Sequence, residues 1–350
     1  MIQIKRNDFD KLAQAFCDRL IIKQKRKQTL IERLRNSPQR NQPIYGTIIR
    51  DLQNIITANP DDLELIKNKY EGIFNKMRKN KIKDIKKEIL NIFNYSNYEW
   101  WGAYQLALDL NVKTCPYCNR QYTFTVEKIK GKGTPSGTRP EFDHFYDKDT
   151  YPYLSLSFYN LIPSCHICNS NLKGKKQFSI NTNVHPYREG FGDTVKFSMK
   201  ILNTNHLSKA NQKNQPPLPE LKELVKDKKN FKVDFFAGNL DSFEIVFKPD
   251  RPTPMNNPTH LIYRAYNNIE TFRLKDLYNM HKDIASELIQ KAVMYNNTYI
   301  NNLYKSFPTL FASKDDAKRM VLGNYITDDE LEKRPLSKFT KDLAEELGII

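Results

Sequence analysis

Four of the five cysteines in this chain form two Cys-x-x-Cys pairs, a spacing typical of metal ligands. The pairs are Cys115 with Cys118 and Cys165 with Cys168. Structural zinc takes four tetrahedral ligands, often two from each of two tight turns. Cysteines paired at this spacing also favour thiolate ligands in a reducing compartment over disulfide bonds. The sequence therefore predicts a structural zinc ion that is held by these four thiolates.

Between the two pairs lies Asp143-His144, a carboxylate beside an imidazole. Phosphodiester hydrolysis needs an activated water and a hard cation that stabilises charge at phosphorus. A histidine that is neutral near pH 7 suits the role of general base, and a carboxylate suits Mg²⁺ or Mn²⁺. Adjacent side chains on a strand point to opposite faces of the sheet. Asp143 and His144 could therefore act at the same cation only if the end of the strand is twisted or looped. The alternative is a zinc ribbon that binds nucleic acid or protein without catalysis.

Two asparagines and three lysines complete the candidate site. Asn160 is expected to hold the loop after the histidine through hydrogen bonds to the backbone. Asn169, directly after the second cysteine pair, could offer its carbonyl oxygen to the catalytic cation. Lys173, Lys175 and Lys176 follow on the predicted helix and are candidate phosphate contacts. For these lysines, a solvated surface without a ligand is the alternative.

The elements that must position these residues indicate an α+β fold. Residues 1–110 are predicted to be a basic helical region, because apolar residues recur at three-to-four spacing over 9–22, 48–56 and 63–90. Asn59 followed by Pro60 is a good helix start. This region is a candidate docking surface for a partner or for nucleic acid.

Residues 111–190 are predicted to be the zinc-bearing module, with a strand that delivers Asp143 and His144 at its end. Residues 191–350 are predicted to be a mixed region with helices and a small β-hairpin, formed by 231–236 and 243–247 around a glycine. His185, which lies at the end of the module, could approach the site, but a role at the surface or in a loop is expected.

Charge is the second functional signal. The formal net charge is +16, and residues 1–50 carry twelve Lys and Arg against four Asp and Glu. Such a balance is typical of proteins that bind nucleic acid, although a solvated helix face is the alternative reading. Mean hydropathy is −0.68, and no apolar run reaches the ~18 residues of a membrane span. With no apolar segment at its start, the chain is expected to be cytoplasmic.

At these residues the chain resembles the HNH endonuclease superfamily with a ββα-metal core, in its four-cysteine zinc branch. The resemblance covers about Thr114 to Lys176. It implies that His144 is the general base, that Asp143 and Asn169 bind Mg²⁺ or Mn²⁺, and that Asn160 shapes the loop. The third signature position is often histidine, and asparagine at this position is common in the superfamily.

Shorter motifs within the segment resemble bacterial HNH proteins of Septu and retron-type anti-phage systems. These motifs are Phe142–Phe145, Asn160–Cys165 and Cys168–Gly174. The resemblance implies a DNA endonuclease that works with an ABC-type ATPase. RNA is the alternative substrate, because a site that binds the phosphate and a metal ion does not distinguish ribose from deoxyribose.

Overall fold

The structure is a computed structural model, and it describes most of the chain. The described residues are 1–22, 28–97, 99–126, 137–202, 243–252, 257–295 and 297–350. Over these ranges the protein is α+β, with two small antiparallel sheets of two strands each among many helices. This arrangement confirms the predicted fold class.

Six helices form the N-terminal region, as the apolar periodicity predicts. They are α1 (Phe9–Ile21), α2 (Leu30–Arg35), α3 (Pro43–Thr57), α4 (Pro60–Asn75), α5 (Lys79–Phe93) and α6 (Ala103–Leu110). Asn59 caps α4 by accepting hydrogen bonds from the backbone N–H groups of Asp61 and Asp62, each 3.0 Å long. The single periodic stretch predicted over 63–90 is two helices, because Arg78 is extended and begins α5 anew.

Trp101 joins these helices to the central module. Its ring is buried and packs edge-to-face on Phe142 with centroids 5.6 Å apart, while its Nε1 donates to the carbonyl of Tyr95 over 2.8 Å. Buried side chains from all three predicted regions belong to one continuous hydrophobic cluster. The module is therefore held on a common core, which limits how far its strands can move.

The central module is a β-hairpin-like pair followed by a short helix. Strands β1 (Glu141–His144) and β2 (Leu161–Ser164) are antiparallel, with His144 opposite Leu161. The helix Ile167–Lys173 follows with π-type hydrogen bonding. It ends at Gly174, whose φ of 51° is in the left-handed region and whose N–H bonds the carbonyl of Asn169 over 2.9 Å.

The C-terminal region contains the second sheet and six further helices among the described residues. Strand β3 (Val195–Ile201) pairs with β4 (Phe243–Pro249). The helices are α7 (Leu261–Thr271), α8 (Leu274–Asn279), α9 (Lys282–Met294), α10 (Asn297–Ser306), α11 (Lys314–Leu322) and α12 (Ser337–Glu346). The predicted hairpin was to join residues 231–236 to residues 243–247. The first of these segments lies outside the described residues, and the second belongs to β4, which pairs with β3.

This C-terminal region braces the first cysteine pair. Asn119 has a φ of 49°, and its side-chain oxygen accepts from the Lys338 N–H at the start of α12 over 3.1 Å. Its side-chain nitrogen donates to the carbonyl of Leu331 over 3.1 Å. From α8, the Tyr278 hydroxyl donates to the carbonyl of Cys118 over 2.5 Å. The turn that carries Cys118 is thus held from two distant parts of the chain.

None of the helices within the described ranges combines the length and apolar character needed to cross a membrane.

Candidate metal centre and adjoining cleft

The four predicted cysteines come together as one buried group. Their sulfur atoms all lie within 4.8 Å of one another, and the Sγ atoms of Cys118 and Cys165 are 3.9 Å apart. A tetrahedral zinc with Zn–S bonds of about 2.3 Å needs sulfur–sulfur edges of about 3.8 Å. The arrangement therefore fits a structural metal ion, and the sequence prediction of a four-cysteine zinc site is confirmed to that extent.

Each Cys-x-x-Cys pair lies on a tight turn that aims both thiols inward. The N–H of Asn119 bonds the carbonyl of Cys115 over 2.7 Å, and the N–H of Asn169 bonds that of Cys165 over 3.0 Å. In the first turn the Arg120 N–H also points at the Cys118 sulfur, 3.4 Å away. Backbone donors of this kind orient the ligands and stabilise thiolate charge.

Tyr117 links the metal group to β1. Its side chain is buried between the two cysteines of the first pair, and its hydroxyl donates to Oδ2 of Asp143 over 2.6 Å. The other carboxylate oxygen, Oδ1, accepts from the Lys173 ammonium over 3.0 Å. Lys173 also donates to the carbonyl of His144 over 2.6 Å. The end of β1 is therefore tied both to the zinc turn and to the following helix.

The burial of Lys173 corrects one prediction about the lysines. Its side chain is only 1% exposed, so in this structure the ammonium serves Asp143 and does not reach a phosphate. Lys175 is 87% exposed beside Asp149, and Lys176 is also exposed. Neither of these two lysines is among the residues that line the cleft beside His144, and their contact with phosphate stays a prediction.

His144 is held in one orientation at the end of β1. Its Nε2 lies 3.0 Å from the carbonyl oxygen of Ser155, and because a carbonyl only accepts, Nε2 carries the proton. Burial, aided by the charges of Lys148 and Lys173, lowers the pKa of the imidazole to about 3. The ring is therefore neutral at pH 7, with its lone pair on Nδ1. Among the described residues, the hydrogen bond that holds the ring is the one from Nε2 to Ser155.

An open cleft of about 620 Å³ adjoins the histidine. Its lining includes His144, Asn169 and Glu141, together with the cations Arg139 and Lys148. The Arg139 guanidinium lies 5.7 Å from the centre of the Tyr104 ring, and the Lys148 ammonium lies 5.9 Å from that of Tyr95. The cleft thus combines a neutral imidazole with positive charge and aromatic faces, which suits a phosphate group and its attached bases.

Asn160 lies away from the cleft, inside the loop that follows β1. Its Oδ1 accepts from the Tyr146 N–H over 2.7 Å, and its Nδ2 donates to the carbonyls of Tyr146 and Leu154 over 3.1 and 2.9 Å. These bonds close the loop that presents the Ser155 carbonyl to His144. Asn160 therefore makes hydrogen bonds to the loop backbone, and its role in a catalytic site stays a prediction.

Glu141, which the sequence analysis did not select, organises the far side of the cleft. Its Oε2 accepts from the Asn169 amide over 2.7 Å, and its Oε1 lies 2.7 Å from Nδ1 of His166. Burial alone would raise the pKa of this carboxyl, but the hydrogen bonds from neighbouring side chains outweigh burial and lower it. Its place two residues before Asp143 on a strand is the only signal that could have identified it.

The predicted ligands of a catalytic cation, Asp143 and Asn169, are hydrogen-bonded to neighbouring side chains. Each oxygen of Asp143 accepts one hydrogen bond, from Tyr117 or from Lys173, and the amide nitrogen of Asn169 donates to Glu141. Across the residues that the structure describes, the only group of three or more His, Cys, Asp or Glu side chains spaced for a metal is the cysteine group. A role for Asp143 and Asn169 in binding Mg²⁺ or Mn²⁺ stays a prediction of the resemblance.

His185 lies in a loop, as predicted, but it is not at the surface. It is completely buried, packs on Phe145 with ring centroids 4.2 Å apart, and has no hydrogen-bond partner for either ring nitrogen among the described residues. Burial, with a smaller effect of the Arg188 charge, lowers its pKa to about 3. It packs behind β1 because the chain after the module folds back onto the core.

Compared with known proteins, the chain matches no protein-family model, no curated protein and no solved structure. The function of the chain is therefore inferred from the motif residues and their geometry alone.

Proposed function

We propose that this protein is an HNH-type endonuclease that hydrolyses DNA phosphodiester bonds with His144 as general base. The observation that carries the proposal is the orientation of this imidazole. The Ser155 carbonyl holds Nε2–H over 3.0 Å, which leaves the lone pair on Nδ1, and His144 lines a cleft whose walls include the cations Arg139 and Lys148. An antiparallel strand pair followed by a short, cysteine-stapled helix frames the site.

The chemistry that these residues can perform is general base catalysis. A water in the cleft would give its proton to Nδ1 while its oxygen forms a bond to phosphorus and the bond to the leaving oxygen breaks. The hydrogen bond from Nε2–H to Ser155 keeps the ring aligned as positive charge develops on it. Arg139 and Lys148 would attract the anionic phosphate to the same cleft.

The test is cleavage of supercoiled plasmid by zinc-loaded protein in the presence of Mg²⁺ or Mn²⁺. The decisive variant is His144→Gln, whose amide can still donate toward Ser155 but cannot act as a base. We expect it to lose about 10²- to 10⁴-fold in rate. The matched control is His260→Asn, because His260 only caps α7 through its ring nitrogen and asparagine keeps that cap.

The cation requirement should be tested by removing the divalent ion through dialysis. A strong chelator would strip the cysteine site as well and would confuse the two metals. Cleavage by His144→Gln at the rate of the unmodified protein, with either cation, would remove the proposal.

A second candidate is a zinc-stapled adaptor that binds nucleic acid without hydrolysing it. The engagement of Asp143 by Lys173 and Tyr117 favours this alternative, because each carboxylate oxygen already accepts a hydrogen bond and a cation would have to compete with the Lys173 ammonium. Tight binding of DNA with no cleavage of DNA or RNA, under any divalent cation and with a partner supplied, would decide for the adaptor.

RNA is the alternative substrate for the hydrolytic site. Cleavage that occurs only next to a 2′-hydroxyl, in a strand that mixes deoxyribonucleotides and ribonucleotides, would decide for an RNase. The anti-phage setting and the ABC-type ATPase partner stay predictions of the resemblance, and co-purification with such an ATPase would test them.

A further inference from the structure

An exposed aromatic stripe extends from the first cysteine pair. Tyr122, Phe124 and Val126 alternate along an extended segment and are 49%, 49% and 55% exposed. The rings of Tyr122 and Phe124 are stacked on each other, with centroids 4.4 Å apart and planes 21° from parallel. Such large apolar surfaces gain free energy by burial, so two rings held side by side in water form a surface that suits a ligand.

The segment that carries the stripe is held firmly from behind. Thr123, between the two rings, is buried, and its hydroxyl donates to the carbonyl of Val112 over 2.8 Å. The Thr123 N–H bonds the carbonyl of Lys113, and the Cys115 N–H bonds the carbonyl of Gln121, each over 2.9 Å. The stacked pair is therefore mounted on the metal-stapled turn, and little conformational entropy is lost when a ligand binds to it.

The segment that carries the stripe is hydrogen-bonded to the wall of the cleft that contains His144. Val126 and Thr138 exchange two backbone hydrogen bonds of 2.8 and 3.2 Å. Thr138 and its neighbour Arg139 line the cleft beside His144. Phe124 lies two residues before Val126 on the extended segment, which is about 7 Å along the chain. A strand that places one phosphate in the cleft would therefore pass close to the stacked rings.

We propose that the Tyr122–Phe124 pair is a stacking platform for unpaired bases, and that the substrate is single-stranded or locally unpaired nucleic acid. The proposal rests on the proposed function of the cleft and deepens it. Aromatic faces bind any base by stacking, and a paired duplex keeps its bases inside, away from such a platform.

Charge decides between a nucleic acid and a protein strand as the occupant. The chain has a net charge of +16, and the cations Lys113, Arg120 and Arg139 lie on or beside the segments that carry the stripe and the cleft wall. A polyanion whose bases stack and whose phosphates pair with these cations uses both features. An acidic protein strand could pair with the same cations but has no regular row of planar bases to stack on the rings.

The experiment is fluorescence anisotropy of a labelled single-stranded DNA oligonucleotide and of its duplex, with zinc-loaded full chain and no divalent cation. We expect tighter binding of the single strand than of the duplex. Tyr122→Ala and Phe124→Ala should each weaken single-strand binding by about 5- to 150-fold, as loss of one stacked base predicts. Duplex affinity and the salt dependence of binding should stay unchanged, because no charge is removed.

Three controls make the result decisive. Tyr122→Phe keeps the ring and should keep the affinity, whereas Leu310→Ala and Met320→Ala remove apolar side chains of similar exposure, 60% and 62%, elsewhere on the surface. The proposal is overturned if the platform variants bind the single strand as the unmodified protein does. It is also overturned if single strand and duplex weaken equally. Because binding is measured without cleavage, a failure of His144 as a base leaves these outcomes readable.

Discussion

The buried ion pair between Lys173 and Asp143 gives the sharpest prediction about stability. Their side chains are 1% and 3% exposed, and the ammonium nitrogen lies 3.0 Å from Oδ1. The change is Lys173→Met, which keeps most of the apolar stem and removes the charge. Asp143 would then keep only the Tyr117 hydroxyl, and the His144 carbonyl would lose its donor.

The expected magnitude follows from the geometry. At 3.0 Å, two unit charges attract by about 5.5 kcal/mol with an effective dielectric constant of ~20. Desolvation of both groups offsets most of this attraction, so the intact pair adds little net stability. Removal of one partner, however, leaves the other charge buried and unpaired. We therefore expect Lys173→Met to lower the free energy of unfolding by about 3–5 kcal/mol. The double variant Lys173→Met/Asp143→Asn should lose less than the sum of the two single variants.

The assay is urea unfolding of the zinc-loaded protein, followed by tryptophan fluorescence. The matched control is Lys175→Met, because Lys175 forms an ion pair with Asp149 at the surface, 3.2 Å apart and 87% exposed on the lysine side. An exposed pair contributes about 0–1 kcal/mol.

Two results would refute this reasoning. One is a loss for Lys173→Met as small as that for Lys175→Met. The other is additivity of Lys173→Met and Asp143→Asn to within about 0.5 kcal/mol, which would mean that the two groups are not coupled.

Three further predictions follow from the site. Cys118→Ser should lower the zinc content and the melting temperature, whereas Cys17→Ser, at a buried cysteine outside the metal group, should keep one zinc per chain by atomic absorption. An unchanged zinc content in Cys118→Ser would contradict the four-cysteine site. His185 has a folded pKa of about 3 against an ordinary value near 6.5, so it should stabilise the fold above pH 6.5 and lose that contribution as the pH falls toward 3. His185→Phe should therefore flatten the acid limb of the stability curve, and an unchanged limb in urea melts at pH 7 and 5 would contradict the assignment. Asn160→Ala should lower the free energy of unfolding by about 3 kcal/mol or more, because it leaves buried backbone groups of Tyr146 and Leu154 without partners; a loss under about 1 kcal/mol in urea titration would show that water replaces the side chain.

The sequence by itself determined the metal centre and the helical character of the N-terminal region. A Cys-x-x-Cys pair lies within one tight turn, so its spacing reports the local geometry that zinc needs. Helix starts such as Asn59 at α4 are local for the same reason.

Only the tertiary structure decided which polar groups of the module meet. Lys173 reads as a surface lysine along the chain, but the packing of its short helix against β1 turns it inward to Asp143. Glu141 obtains Asn169 as a partner, and Asn119 obtains α12, through contacts between residues far apart in sequence. Periodicity and spacing describe a few consecutive residues, whereas the partner of a buried charge depends on how whole elements pack, because burial leaves that charge no water to pair with.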